Sequence, residues 1–364
     1  MRFAVWMTLG SLLFAGCTTP APESQDSAAS TSDTSPDSPA VTVVVSSDIL
    51  CDLTEQVMGA TQETTNFTCL MGPDQDPHTY ATTPSDRRAI AQAQLFFYDG
   101  YNLTPAIAQL ADSAETGVKT VAVFEVAVPN PLMFDHDHDH DHGHGHGHGH
   151  EDEHGAQDHE EPEHEDHGDE GDDPEGDAAQ PDPHVWHDVE QTIAAVEVIA
   201  AELSAIAPQH RDTYARNADQ FTQTLTTLDT WIGEQIATIP ADQRILVTTH
   251  ASFNYFVAAY GLTRAEALQG LSTEDAPSAA TLKRLVEQIQ ATQVPTVFPE
   301  NIANNTVLDT VTREAGVKSS ATPLLTGSRG SLGSYVDMMV ANTCAIATGL
   351  GGQCQDFAPP NPTN

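Results

Sequence analysis

The chain has 364 residues, with 13 Lys plus Arg against 53 Asp plus Glu and a formal net charge of -40. Binding a nucleic-acid backbone needs clustered basic residues, and none occur, so nucleic acid is excluded as a partner. The length suits two domains of ordinary size, each with enough apolar content for a core.

In chain order, the first 16 residues read as an export signal. Arg2 supplies a positive start, Phe3 to Phe14 form an apolar run too short to span a bilayer, and Ala15-Gly16 are small residues ahead of Cys17. The segment resembles a bacterial lipoprotein signal, in which Cys17 is lipidated. A plain secretory signal with an incidental cysteine is the alternative. Residues 17–40 are mostly Ser, Thr, Pro, Ala and Asp, a tether with little to bury.

Strands are expected at 41–47, 63–71, 94–98 and 119–126, with helices at 50–58, 86–93 and 105–111 between them. This βαβα order favours a parallel sheet covered by helices on both faces. After two long helical stretches, 189–206 and 209–239, the order repeats. Strands are expected at 244–249, 296–299 and 317–322, with 265–269 a weaker candidate, and helices at 253–260, 279–290, 306–315 and 335–348. The expected fold is therefore α/β: two similar lobes with mostly parallel sheets, 41–207 and 240–357, joined by a long rigid helix at 208–239. A helix of that length runs about 45 Å and can brace both lobes. Ligands of such folds bind between lobes, at the carboxyl ends of strands.

Four cysteines follow Cys17, an even number in an exported chain, which points to disulfides. Of the three possible pairings, Cys51 with Cys69 and Cys344 with Cys354 are favoured, because both are local and flank element ends. No Cys-x-x-Cys spacing supports a thiolate zinc site.

The tripeptide Asp-Pro-His occurs twice, at Asp76-Pro77-His78 and Asp182-Pro183-His184. A histidine after proline sits on a stiff bend, so its ring starts pre-aimed, and imidazole is the commonest metal ligand. His78 falls in the loop after the second strand, His184 opens a helix, and His250 ends a strand of the second lobe. Any one of them alone is as consistent with a structural histidine; their joint placement at the binding ends of both lobes argues for a metal in the interlobe cleft. Between residues 135 and 181 lies a tract that can form no core. It holds twelve of the seventeen histidines, among them His136, His138, His140, His142, His144, His146, His148 and His150, interleaved with acids and glycines. It reads as a solvated loop whose imidazoles and carboxylates form weak, exchangeable metal sites.

At this point the chain resembles the metal-specific solute-binding proteins of bacterial ABC importers, their zinc branch in particular. The resemblance rests on Gly72-Pro73-Asp74-Gln75-Asp76-Pro77-His78-Thr79-Tyr80 with Pro84-Ser85-Asp86, on Asp182-Pro183-His184-Val185-Trp186, and on Thr249-His250 followed by Phe253, Tyr255-Phe256 and Tyr260-Gly261-Leu262. Gly270-Leu271-Ser272, Ala276-Pro277-Ser278, Phe298-Pro299-Glu300, Tyr335 and Met338-Met339 extend it across roughly residues 41 to 352. It implies one bound metal, handed to a permease in the cytoplasmic membrane by a monomeric protein outside the cytoplasm, periplasmic or on the cell surface and anchored by lipid. It implies His78, His184 and His250 as ligands. The family's fourth position, often Asp, falls where residues 322–328 contain neither acid nor histidine, and that loss favours Zn2+ over manganese or iron. Glu300 is the candidate for a fourth or supporting ligand. His187 replaces the family's usual apolar residue and reads as solvent-facing, with a spare or supporting ligand as the alternative. Zinc members often carry a histidine tract in this place, read here as a metal collector.

Other classes fit less well. A zinc hydrolase would need Glu300 as general base beside the metal, and no Gly-x-Ser-x-Gly elbow or phosphate-binding loop occurs; Gly327 to Gly333 reads as a turn. A surface zinc buffer without a transporter is the remaining alternative.

Overall fold

The computed structural model describes residues 40–134, 179–274 and 277–360. The expected signal, the tether with Cys17, most of the 135–181 tract and all twelve of its histidines lie outside these residues.

Four parallel strands form the sheet of the first lobe in the order β2-β1-β3-β4. They are β1 (Thr42–Val45), β2 (Asn66–Cys69), β3 (Leu95–Tyr98) and β4 (Lys119–Ala122). Between them run α1 (Asp48–Met58), α2 (Pro84–Gln92) and α3 (Pro105–Asp112). Alternation along the strands divides the core. Val43, Val45, Leu95 and Phe97 join the main cluster, whereas Val44 and Phe96 face Ile90, Ile107 and Met71 on the other side. Local chemistry sets the helix starts: Ser47 Oγ accepts from Leu50 N, and Thr83 and Asp86 form a capping box behind Pro84.

The strand expected at 119–126 stops at Ala122, and Val123–Ala127 is a short helix, α4. The run Val121 to Val126 is apolar and rich in β-branched residues apart from Glu125, which suits a strand by composition. As a helical turn it buries Val123 and Phe124 while leaving Val126 exposed. A two-stranded antiparallel ribbon then pairs β5 (Met133–Phe134) with β6 (Gln180–Pro181).

Two helices, α5 (Val189–Ile206) and α6 (Arg211–Ala237), pack side by side and connect the lobes. The 27 residues of α6 span about 40 Å. This helix meets α1 in the first lobe and α10 (Tyr335–Gly349) in the second. In the second lobe β7 (Ile245–His250) pairs in parallel with β8 (Arg264–Gln269), and β9 (Thr296–Val297) with β10 (Lys318–Ser319). Parallel bridges Thr248 to Phe298 and Glu300 to Leu324 continue the pattern. The covering helices are α7 (Asn254–Tyr260), α8 (Ala279–Thr292) and α9 (Thr306–Ala315). One apolar cluster runs from Val43 through Leu225 and Leu228 of α6 to Ile346 of α10, so the lobes share a core.

Cys51 is bonded to Cys69 and Cys344 to Cys354, with Cα separations of 6.0 and 5.1 Å. No helix among the described residues is long and apolar enough to cross a membrane. Because Leu228 is fully buried where α6 joins the lobes, Leu228→Ala is expected to lower the unfolding free energy by about 3 kcal/mol, measured by urea denaturation of metal-free protein.

Candidate metal centre

His78, His184 and His250 come together at the carboxyl ends of the strands. One ligating atom from each lies within 4.8 Å of the others. His184 Nε2 is 3.2 Å from His78 Nε2 and 3.3 Å from His250 Nε2. Two nitrogens on a tetrahedral zinc, each about 2.05 Å from it, stand about 3.3 Å apart. Tilted and edge-on ring pairs with centroids 5.1 to 5.3 Å apart aim the nitrogens inward.

Each ring is held by a different device. His250 closes β7, and Glu300, just beyond β9, grips it twice: Oε1 accepts from the backbone N–H groups of Thr249 and His250, both at 2.9 Å, and Oε2 contacts His250 Nδ1. Asn305 fixes Glu300 in turn, accepting from its N–H at 3.1 Å and donating to its carbonyl at 2.8 Å. Asp182 Oδ1 accepts from both the backbone N and Nδ1 of His184, at 2.9 and 2.8 Å, while Oδ2 accepts from Asn254 Nδ2 at 2.9 Å. With protons held on Nδ1, these two rings present Nε2 lone pairs to the centre.

The first Asp-Pro-His copy works differently. Asp76 Oδ1 accepts from the His78 backbone N–H at 2.9 Å, as in the second copy, but Oδ2 accepts from Thr273 Oγ1 of the other lobe at 2.5 Å. The loop leaving His78 is tied down by Tyr80, whose hydroxyl donates to Asp86 Oδ2 and lies 3.2 Å from the Leu70 carbonyl.

Burial sets the protonation of the cluster. It pushes His78 well below the ordinary imidazole value, helped by the two neighbouring histidines. It also lowers His184, against the opposing pull of Asp182. Burial acts downward on His250 too, but Glu300, followed by Asp76 and Asp182, outweighs it and holds that ring above the ordinary value.

His184 does not open a helix: a 3-10 turn, Val185–His187, intervenes before Asp188 caps α5. His187 is not solvent-facing. It is fully buried, stacked on Phe253 with ring centroids 4.3 Å apart and set beside Trp186, and it is not part of the ligating group. Neither ring nitrogen has a hydrogen-bond partner among the described residues. Burial pushes its pKa far down, so it sits there as a neutral aromatic plate. Glu300 has both oxygens engaged on Thr249 and His250, an arrangement for orienting a ligand rather than activating a water.

The 322–328 segment approaches the centre through backbone. A Cβ on Gly327 would lie 2.6 Å from Pro77 Cδ and 2.8 Å from Ile302 Cδ1, so a side chain at this position would displace the His78 loop. Among the described residues, no carboxylate or thiolate joins the three imidazoles.

Residues 43–349 match the family model described as ZnuA, zinc-uptake complex component A, periplasmic. The chain belongs to this family. Membership in the ZnuA family makes it a metal-binding solute-binding protein rather than an enzyme. Named relatives differ in metal. Manganese-binding lipoprotein MntA of Halalkalibacterium halodurans is 27% identical over 321 residues, covering 87% of this chain and 91% of that protein. Zinc-binding lipoprotein AdcA of Streptococcus pneumoniae is 30% identical over 300 residues, covering 81% of this chain and 53% of that protein. The periplasmic zinc-binding protein TroA of Treponema pallidum shares the fold, with a TM-score of 0.70 at 23% identity, covering 85% of this chain and 99% of TroA.

Asp182, Asn254, Thr273 and Asn305 carry the supporting hydrogen bonds, and the sequence reading gave none of them a role. For Asp182 the signal was present, as the Asp of an Asp-x-His repeat. Asn254 stands four residues after His250 but 72 from Asp182, the residue it supports, and Thr273 and Asn305 lie far from the histidines along the chain.

Two outcomes are expected for this centre. Glu300→Gln cannot accept from His250 Nδ1 and two backbone N–H groups together, and should weaken metal binding by about 10- to 100-fold in competition titrations. Because His250 alone has a raised pKa, metal must displace its proton near neutrality, whereas His78 and His184 are already neutral. Affinity should therefore fall by about tenfold per pH unit as pH drops through the His250 titration, above about 6.5, and steepen only at lower pH.

Proposed function

We propose that this protein captures zinc outside the cytoplasm and delivers it to the permease of an ABC importer. The observation that carries the reading is the donor set: three imidazoles with Nε2 spacings of 3.2 and 3.3 Å, joined by no carboxylate among the described residues. Neutral nitrogen donors suit zinc, whereas manganese prefers carboxylate oxygens. In this reading His78, His184 and His250 bind the ion, Asp182 and Glu300 orient two of them, and water completes the coordination. The lipoprotein names of MntA and AdcA support a membrane-anchored, extracytoplasmic location, with Cys17 as the lipidated residue. The histidine tract, His136 to His150 and beyond, serves as a weak collector.

Manganese is the second reading. It is favoured by relatives such as MntA, whose printed name is manganese-binding.

The two are separated by equilibrium dialysis against zinc with excess manganese. Protein lacking residues 136–167 should keep one tightly bound zinc while losing several weak equivalents, and His184→Ala should lose the tight one. Manganese occupying the tight site, or loss of that site together with the tract, would overturn the assignment.

A further inference from the structure

One short segment of the second lobe, residues 326–330, touches the supports of His184 and His78 and follows closely on the bridge to the carboxylate behind His250. The Thr326 carbonyl accepts from Trp186 Nε1 at 2.9 Å, and Trp186 lies two residues after His184 with its ring 5.5 Å from the His184 ring. Gly327 packs against Pro77, the residue before His78. Ser328 Oγ accepts from Asp74 N at 3.1 Å, at the start of the same loop. On its other side the segment follows Leu324, whose bridge to Glu300 connects it to the carboxylate behind His250.

Arg329 anchors this segment across the lobes. Its Nε and Nη2 donate to Asp48 Oδ2 and Oδ1 at 3.1 and 2.7 Å, and its backbone N donates to Asp48 Oδ2 at 2.8 Å. Nη1 lies 3.2 Å from Asp52 Oδ1 and donates to the Gly333 carbonyl at 3.2 Å. The Arg329 side chain is 15% exposed and the two carboxylates 5% and 4%, so this forked pair is sheltered from water and from screening. Asp52 continues the web, accepting from Tyr335 N at 2.7 Å, and the Tyr335 hydroxyl donates to the Trp186 carbonyl at 2.7 Å.

We propose that Arg329 is a positioning residue for metal retention: by pinning the 326–330 segment to Asp48 and Asp52, it keeps the three imidazoles converged, and the metal leaves when this segment lifts. The inference rests on the metal-binding reading above and adds to it the element that sets how long the ion stays. Two charges buried against one guanidinium make the pinned state specific in geometry, because only a planar fork satisfies Asp48 twice while reaching Asp52. Nothing in the contact touches the ion, so its loss acts on dwell time rather than on the donor set.

The test is the rate at which zinc-loaded protein releases its metal to excess EDTA, followed in a stopped-flow instrument with Trp186 fluorescence and a chromogenic zinc indicator. Arg329→Lys keeps the charge and removes the fork. It should still take up one equivalent but release it about tenfold or more faster than the parent protein. Tyr260→Phe is the control, removing a hydroxyl that accepts from Val189 N at 3.2 Å and donates to Asp229 at 2.9 Å, away from the 326–330 segment. It should release zinc at the parent rate. A parent rate for folded Arg329→Lys overturns the proposal, and so does equal acceleration in Tyr260→Phe, which would mark a general loosening. If Arg329→Lys does not fold, Asp48→Asn removes the charge that the fork grips and leaves the His78 loop untouched; fast release supports the proposal and the parent rate overturns it. Parent protein that takes up no zinc defeats the metal reading itself, a result distinct from all of these.

Discussion

An imidazole offers Nε2 to a metal only while its proton stays on Nδ1, and two buried carboxylates enforce that here. Asp182 does so for His184 and Glu300 for His250. Carboxylates at 0% exposure are costly to desolvate unless every lone pair is used, which explains the backbone N–H groups of Thr249 and His250 on Glu300 and the Asn254 amide on Asp182. These partners come from both lobes. The shared core and the long α6 therefore serve the centre directly, because they set the separation of two carboxylates that no local sequence element connects.

The repeated Asp-Pro-His tripeptide makes one turn twice, with the Asp oxygen accepting from the backbone N–H two residues on. The copies diverge at the ring. Asp182 locks the His184 imidazole, whereas Asp76 spends its second oxygen on Thr273 across the lobes. His78 is thus steered by its loop rather than by a carboxylate, and it is also the most exposed ring of the three, at 9% against 1% and 0%. The asymmetry makes His78 the side on which the centre faces water.

Periodicity made most elements legible, since α5 and α9 begin and end where the apolar repeat does and both disulfides join neighbours in sequence. The three histidines were legible because each follows a proline or ends a strand. What escaped was decided by tertiary contact. Val123 to Ala127, apolar but for Glu125, suits a strand by composition and turns helical because burial of Val123 and Phe124 favours it. His187 looked like a surface residue from its polarity, yet Phe253, 66 positions away, supplies a ring to stack on. Glu300 was visible as an acid near the site, but its role as the clamp of His250 depends on a strand pairing that composition does not encode.

The β5–β6 ribbon sets Phe134 directly opposite Gln180, and Asp182 N donates to the Leu132 carbonyl just beneath. The described residues on either side of 135–178 are thus brought together at a single point. Closing a chain segment at fixed ends costs only in proportion to the logarithm of its length, about 0.6 kcal/mol for each doubling. Insertions and deletions between these two positions are therefore nearly free in energy and leave Asp182 and His184 undisturbed. Repeat expansion between these two positions can change how many histidines the chain carries without renegotiating the geometry of the cluster itself.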